Sequence, residues 1–282
     1  MLKKLTFILI LTFFSIANSQ QLINQNENDE PIEIYADNGI EWHKNDKKYL
    51  ALGNAKAISG SLTLTSEIIE AYYEEKSDSQ MDVKLVKAHK NVKISDDKMK
   101  IVGGRSAEYD LKKDFFSIIG DKITLFSDSD ELKSNKKMEY WRKKEVAIAT
   151  GKAVAKKKNE FVIRADKLVW YLKKIEKKIN VKKILGFNNV SIETNNEVAF
   201  SDKALYNKET EICKLFGNVK LKKGDSFLIG DYAEVDLKKG ISKLLPAPGQ
   251  SKHNENRVKA LIDKEGVSSD ESNWYSIYSY KQ

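Results

Sequence analysis

Apolar and polar residues alternate along most of this chain. Between Pro31 and Leu245, stretches such as Val219-Lys220-Leu221-Lys222 place an apolar side chain at every second position. A period of two is that of a β-strand with one apolar face and one polar face. The polar positions are rich in Lys, Glu, Asp, Ser and Thr, which are typical of a face in contact with water. The pattern therefore predicts strands that each bury one face, and it predicts no long helix.

Two short half-motifs recur through this alternation. The first has two apolar positions, a small residue and then an acid, as in Ile32-Glu33-Ile34-Tyr35-Ala36-Asp37. Its acid positions are 29 to 38 residues apart and are Asp37, Glu67, Arg105, Lys136, Asp166, Asp202 and Asp231. The second half-motif lies between them and begins with turn residues, as in Gly217-Asn218-Val219. We interpret it as a turn, so that the chain reverses about every fifteen residues.

Two strands in each of seven units predict an all-β fold of about fourteen antiparallel strands, stacked in one dimension. A sheet that folds over on itself, as in a jelly roll with an open seam, covers its own apolar face. If the two sides of such a fold separate along one edge, the interior becomes a long apolar groove; if they do not, the same residues form an ordinary core. The expected lining is Ile32, Ile34, Leu62, Leu64, Val92, Ile94, Ile101, Tyr109, Leu111, Ile123, Leu125, Ile163, Ile192, Phe200, Leu221, Phe227 and Ile229. The strands at the two ends of the stack would remain open to pairing with a partner.

The N-terminal residues predict export. Lys3 and Lys4 precede a mostly apolar run from Leu5 to Ile16, and Ala17-Asn18-Ser19 offers small residues for cleavage before Gln20. This is the pattern of a signal peptide over residues 1–19, although an uncleaved anchor is the alternative. We expect a linker over residues 20–30, one β-domain over 31–245 and a partly disordered tail over 246–282. Within that tail, Arg257 to Ile262 is a candidate for one more strand or a docking segment.

Composition and motifs argue against catalysis. The single cysteine, Cys213, excludes a disulfide scaffold and is expected to be a buried apolar residue. Motifs for serine hydrolysis, zinc proteases, phosphate loops and redox cysteine pairs are missing. The acidic cluster at Asp128, Asp130 and Glu131 lacks the glycine and closing glutamate of a calcium loop. We therefore expect no enzyme activity, cofactor or metal. The net charge of +8 is spread among acids, which does not indicate nucleic-acid binding.

The order of these motifs after a signal peptide resembles the OstA-like family, and within it the LptA-like lipopolysaccharide-transport proteins. The resemblance rests on Pro31 to Asp37, on Leu52-Gly53-Asn54-Ala55, on Leu62 to Glu67 and on Ser106 to Phe116, and it extends over about 31–245. It implies an open, twisted β-jelly roll with an apolar interior. Arg105 and Lys136 depart from the family pattern because they occupy two acid positions.

The resemblance also implies a function. Members of the family bind lipopolysaccharide acyl chains in the periplasm and bridge the inner and outer membranes during outer-membrane assembly. Their partners are transport components at both membranes, joined by edge-strand addition, and further copies joined head to tail. The family's lipid-facing positions correspond to Ile32, Ile34, Val92, Tyr109 and Leu111. Two alternatives stay open: a membrane-anchored, LptC-like partner of the same pathway, and a structural envelope β-solenoid without a lipid ligand.

Overall fold

The computed structural model describes residues 32–75, 81–96, 99–127, 130–157, 161–175, 178–194, 197–236, 238–245 and 258–262. The predicted signal peptide, most of the predicted tail and Asp128 of the acidic cluster lie outside these residues. The described chain forms one antiparallel sheet of 18 strands and a single turn of 3-10 helix at Arg142–Lys144. Within these ranges, no helix is long and apolar enough to cross a membrane.

Ten strands are long. They are β3 (Lys48–Ser59), β4 (Leu62–Glu75), β5 (Met81–Ser95), β6 (Met99–Asp110), β11 (Val146–Lys157), β12 (Phe161–Ile175), β13 (Lys178–Glu193), β14 (Val198–Asn207), β15 (Ile212–Lys223) and β16 (Ser226–Asp236). Eight strands are short. They are β1 (Glu33–Tyr35), β2 (Ile40–His43), β7 (Phe115–Ile119), β8 (Ile123–Ser127), β9 (Asp130–Ser134), β10 (Lys137–Trp141), β17 (Ile241–Leu245) and β18 (Lys259–Leu261).

The short strands combine in pairs, and each pair occupies one place in the sheet. For example, β1 pairs with one half of β3 and β2 pairs with the other half. The pairs β7 with β8, β9 with β10 and β17 with β18 span their long neighbours in the same way. We call each long strand and each such pair a rung. There are fourteen rungs in chain order, so the all-β jelly-roll prediction and its count of about fourteen are confirmed. Rung 14 includes β18, which lies within the segment predicted as an additional strand.

The second half-motif bends strands instead of ending them. Register shifts interrupt the long strands at the half-motif and at the facing positions, for example between Phe216 and Val219 of β15. At that point Gly217 and Asn218 both have positive φ, 73° and 46°. Paired positive φ values recur at Gly53-Asn54, Lys90-Asn91, Gly151-Lys152 and Asn188-Asn189, all inside long strands. The predicted turns at these positions were wrong, because two left-handed residues make a bulge that redirects a strand without reversing it. The reversals lie at the strand ends.

The bend, which we call the corner, is fastened by pairs of side chains. Asn54, Asn91, Asn189 and Asn218 each donate from Nδ2 to the acid at the motif position on the preceding rung, over 2.8 to 3.0 Å. Their acceptors are Asp37, Glu67, Asp166 and Asp202. The departure at Arg105 has a physical explanation, since Asp121 of the next rung lies 3.4 Å from its guanidinium. At this corner the acid therefore lies on the later rung and its partner on the earlier rung, which is the reverse of the other four.

Each corner divides its rung into two arms. The long arm contains β2, β7, β10, β17 and the adjoining halves of the long strands, and the short arm contains β1, β8, β9, β18 and the other halves. The buried residues of both arms, such as Ile69 and Ile94, belong to one continuous core cluster. The arms therefore fold toward each other, and their facing sides form an apolar interior that runs through the stack.

Candidate functional site: the apolar interior

The residues nearest the corner on the long arm form what we call the deep row. Cross-strand pairing aligns one inward residue from each rung. In rung order they are Ile40, Ala51, Ile69, Ala88, Ala107, Ile118, Met138, Ala149, Leu168, Gly186, Ala204, Leu215, Ala233 and Leu244. All are apolar, and those from Ala51 to Ala233 are buried. This row is the structural core.

The short arm carries a second apolar row, which we call the tip row. Its members again pair rung by rung. They are Ile34, Ala57, Leu64, Ile94, Ile101, Leu125, Leu132, Ala155, Ile163, Ile192, Ala199, Leu221, Leu228 and Ala260. Only five of the fourteen are buried, and the remainder are half-buried apart from the exposed Ala260. The row is therefore an unbroken line of apolar side chains that is more exposed than the deep row, as expected near an open edge of the interior.

A third row faces the opening from the long arm, and we call it the aromatic row. Half of its fourteen members are aromatic. They are Trp42, Tyr49, Ala71, Val86, Tyr109, Phe116, Tyr140, Ala147, Trp170, Ile184, Tyr206, Cys213, Val235 and Ser242. Most are half-buried, while Ala71, Trp170, Ile184 and Cys213 are buried. Long aromatic side chains in this place supply apolar area at the opening.

Polar groups at the opening are few and are held in place. The Tyr109 hydroxyl lies 3.4 Å from the Asp114 carboxylate, and the Arg142 guanidinium lies 3.4 Å from the same carboxylate. Burial is the main cause that raises the pKa of Tyr109 to about 12. Burial also raises the pKa of the Cys213 thiol to about 12, so the thiol stays protonated and unreactive at neutral pH. Its predicted burial is confirmed.

The five predicted lipid-facing residues lie in different parts of the interior. Ile32 precedes β1 and is 37% exposed, and Ile34 is half-buried in the tip row. Val92 is fully buried at the corner. Tyr109 belongs to the aromatic row, and Leu111 follows β6, where its amide donates to the Lys84 carbonyl over 2.9 Å. The structure therefore places these residues on both arms and at the corner, and it does not group them into one patch.

The predicted lining includes most of the tip row and no residue of the deep row. Eight of the predicted lining residues belong to the tip row, because large aliphatic residues there repeat with the half-motif. The deep row is half Ala or Gly, and small residues give a weak periodic signal. Phe200, Phe227 and Ile229 were wrongly placed inside. Their strand neighbours Ala199 and Leu228 face inward, so alternation turns all three outward.

No ion-binding cluster accompanies the interior. Among the residues that the structure describes, there is no group of three or more His, Cys, Asp or Glu side chains placed to hold a metal. The chemistry that the interior offers is apolar contact over a long, narrow surface, framed by a polar exterior.

Comparison with known proteins bears on this arrangement. Residues 131–241 match the family described as LptA/(LptD N-terminal domain) LPS transport protein. This segment runs from β9 to the first residue of β17. The chain is also similar to the crystal structure of LptH, the LptA homologous periplasmic component of the conserved lipopolysaccharide transport device from Pseudomonas aeruginosa. The identity is 10%, the TM-score is 0.23, and the likeness covers 83% of this chain and 96% of that chain.

No curated protein matches the chain. The family match extends over 111 of the 282 residues, and the rows described above continue with the same pairing through the rungs before it. The resemblance inferred from the sequence is confirmed over residues 131–241, which are similar to the LptA/(LptD N-terminal domain) LPS transport protein family.

Proposed function

We propose that this protein is a periplasmic lipopolysaccharide carrier that shields acyl chains in its apolar interior. The observation that supports this most directly is the continuity of the tip and aromatic rows. Each row passes through all fourteen rungs and is mostly half-buried. An ordinary core would be closed at these positions, whereas an extended apolar surface at an opening matches a long hydrocarbon ligand.

Magnitudes favour the interior over the charged exterior as the holding surface. Shielding about ten methylenes of one acyl chain from water is worth roughly 8 kcal/mol. Attraction of one lysine to an anionic lipid surface is worth about 1 kcal/mol and is weakened by salt. The apolar rows would hold the lipid, and the basic surface would at most guide its phosphate groups.

We further propose that the protein bridges the inner and outer membranes by joining its ends to partners or to other copies. Rung 1 and rung 14 are the edges of the sheet among the described residues. Apolar side chains are exposed at both edges, for example Trp42 at 49% and Ile241 at 46%. Edges of this kind accept a further strand through main-chain hydrogen bonds.

Site-specific photocrosslinking tests the carrier proposal. A photoreactive residue at Leu64 in the tip row, or at Tyr109 in the aromatic row, is expected to capture lipopolysaccharide in envelope preparations. The same residue at Thr65 or Glu108 is the matched control, because these adjacent positions face the opposite side of the sheet. Equal capture at inward and outward positions, or no capture at Leu64 and Tyr109, would contradict the proposal.

End-to-end assembly has its own test at the rung 14 edge. The N–H groups of Ser242 and Lys243 point to opposite sides of β17, so one faces β16 and the other faces the open edge. Ser242→Pro and Lys243→Pro are therefore expected to differ. One variant should loosen rung 14, and the other should keep the fold while reducing concentration-dependent association in sedimentation velocity. If both variants fold and neither reduces the association, then the chain does not associate through the rung 14 edge.

The proposed location can be tested separately from binding. N-terminal sequencing of the protein from bacterial envelopes is expected to give Gln20 as the first residue. A chain that retains Leu5 to Ile16 would instead support the membrane-anchored partner of the same pathway.

A further inference from the structure

The outer face of the long arm has an apolar patch, although the alternation along its strands predicts polar residues there. One outward residue per rung aligns in the row that begins at Glu41. In rung order the row reads Glu41, Leu50, Glu70, Lys87, Glu108, Ser117, Glu139, Ile148, Val169, Leu185, Leu205, Lys214, Glu234 and Lys243. Four consecutive rungs are aliphatic, and all but one of the others are polar or charged. We call Ile148, Val169, Leu185 and Leu205 the outer patch.

The outer patch lies apart from the interior. Its residues alternate along their strands with Ala149, Leu168, Gly186 and Ala204 of the deep row, so they project from the opposite face. Val169 is only 6% exposed and yet does not belong to the core cluster. Ile148, Leu185 and Leu205 are half-buried. Water-facing positions of an antiparallel sheet are normally polar, so an aliphatic run of this length marks a docking surface.

Lysines and aromatic rings frame the outer patch. The ammonium groups of Lys167 and Lys203 lie 6.0 and 5.4 Å from the centre of the Phe187 ring, which neighbours Leu185 on the same face of β13. On the other side, Lys183 lies 5.8 Å from the ring of Tyr171. An occupant that carries both apolar and acidic groups would match this surface.

The chain contains such a segment in its own last twenty residues. Residues 263–282 carry four acids and two lysines, and the acids Asp270 and Glu271 directly precede the aromatic run. That run contains Trp274, Tyr275, Ile277, Tyr278 and Tyr280. Large apolar side chains beside carboxylates complement an aliphatic patch beside lysines.

The segment is long enough to reach the outer patch. β18 ends at Leu261 in rung 14, and Leu205 lies in rung 11. With neighbouring strands about 4.8 Å apart, three rungs span about 14 Å. The twelve residues from Ile262 to Asn273 extend up to about 40 Å, which leaves ample length to pass from the short arm to the long arm. Tethering also gives the segment a high effective concentration at the patch.

We infer that the aromatic C-terminal segment, Trp274 to Tyr280, docks on the outer patch of its own chain. Docking there covers the aliphatic rungs with Trp and Tyr side chains and sets Asp270 and Glu271 near the lysines that border the patch. The interior is left free, so this contact is independent of the proposed lipid binding.

Photocrosslinking in the full chain tests the docking. With a photoreactive residue in place of Trp274, the expected product has the mass of one chain and is joined to β12, β13 or β14. Leu185→Ser combined with Leu205→Ser should lower the yield roughly tenfold, because these two side chains supply much of the apolar contact. Leu50→Ser is the matched control, since Leu50 is an outward leucine of the same row in rung 2, and it should leave the yield unchanged.

A second measurement leaves the sheet untouched and so does not depend on the patch variants folding. Trp274→Ser, Tyr275→Ser and Tyr278→Ser together should shift the methyl resonances of Val169, Leu185 and Leu205 and leave those of Leu50 in place. Crosslinks that join two chains and rise with concentration would assign the patch to a second copy. Crosslinks elsewhere on the sheet, or unshifted methyl resonances, would overturn the inference.

Discussion

The deep row and the tip row have the same pattern and different consequences. Each has one apolar residue from every rung, and each lies on the inner face of the sheet. The deep row is buried over twelve consecutive rungs, whereas the tip row is buried in only five. Half of the deep row is Ala or Gly, against four of fourteen in the tip row. The comparison shows that distance from the corner, and not hydrophobicity alone, separates core from opening.

The size difference follows from the geometry of the bend. Close to the corner the two arms approach each other, so small residues alternate with large ones to fill a narrow space. Farther from the corner, the tip row has larger side chains and is still mostly half-buried, as expected where two arms diverge. We therefore expect the polar corner to set the width of the apolar interior.

The largest expected effect tests this contrast directly. Leu168 of the deep row is fully buried, so Leu168→Ala is expected to lower the free energy of unfolding by about 3 kcal/mol through a cavity that cannot collapse. Leu64 of the tip row is half-buried, and Leu64→Ala should cost about 1 kcal/mol. Urea denaturation of the two variants measures both values. Equal losses would mean that the tip row is core.

The stability of the protein at alkaline pH reports whether the Tyr109 hydroxyl of the aromatic row is shielded from solvent. The pKa of Tyr109 is about 12 in the folded chain, against an ordinary value of 10.0. Below pH 10 the phenol is protonated in both states. Between pH 10 and 12 the unfolded chain loses this proton first, so stability should fall by about 2 kcal/mol as the pH rises. Tyr109→Phe should remove this part of the loss.

Denaturation at pH 9 and at pH 11.5 measures this effect, with Tyr171→Phe as the control because Tyr171 lies on the exposed outer face. If Tyr109→Phe and Tyr171→Phe lose the same stability between the two pH values, then the Tyr109 hydroxyl is accessible to water and the aromatic row is open to solvent at this rung.

The corner itself is the next test. Asn218 has a φ of 46°, and its side chain donates to Asp202 over 2.9 Å. Asn218→Ala loses the hydrogen bond and keeps a strained backbone, so it should cost about 2 kcal/mol. Asn218→Gly relieves the strain and loses only the hydrogen bond, so about 1 kcal/mol is expected. Equal costs would show that backbone strain at this corner is negligible.

The sequence was sufficient for the strand period, the rung count and most of the tip row, because alternation and large aliphatic residues are local signals. The sequence was not sufficient to predict the corner. Gly217-Asn218 has the composition of a hairpin turn, and only pairing with both neighbouring strands shows that the chain continues in the same strand beyond it. The deep row was missed for a related reason: Ala88 and Ala204 become core only where two arms converge, which is a property of the assembled sheet.

The smallest expected effect on stability concerns Arg105 and Asp121, the corner pair in which the acid and its partner are exchanged. Arg105 and Asp121 are 65% and 84% exposed, with 3.4 Å between the nearest charged atoms, so the pair should contribute less than about 0.5 kcal/mol. Arg105→Asp combined with Asp121→Asn installs the acid-and-amide pairing of the other corners and should change stability by no more than this. Arg105→Asp alone sets two carboxylates against each other and should be the least stable of the three proteins. Thermal denaturation at low salt gives the order, and added salt should compress it because exposed charges are screened. If the double variant were much less stable than the parent, then the guanidinium would have a structural role at this corner beyond replacing the amide.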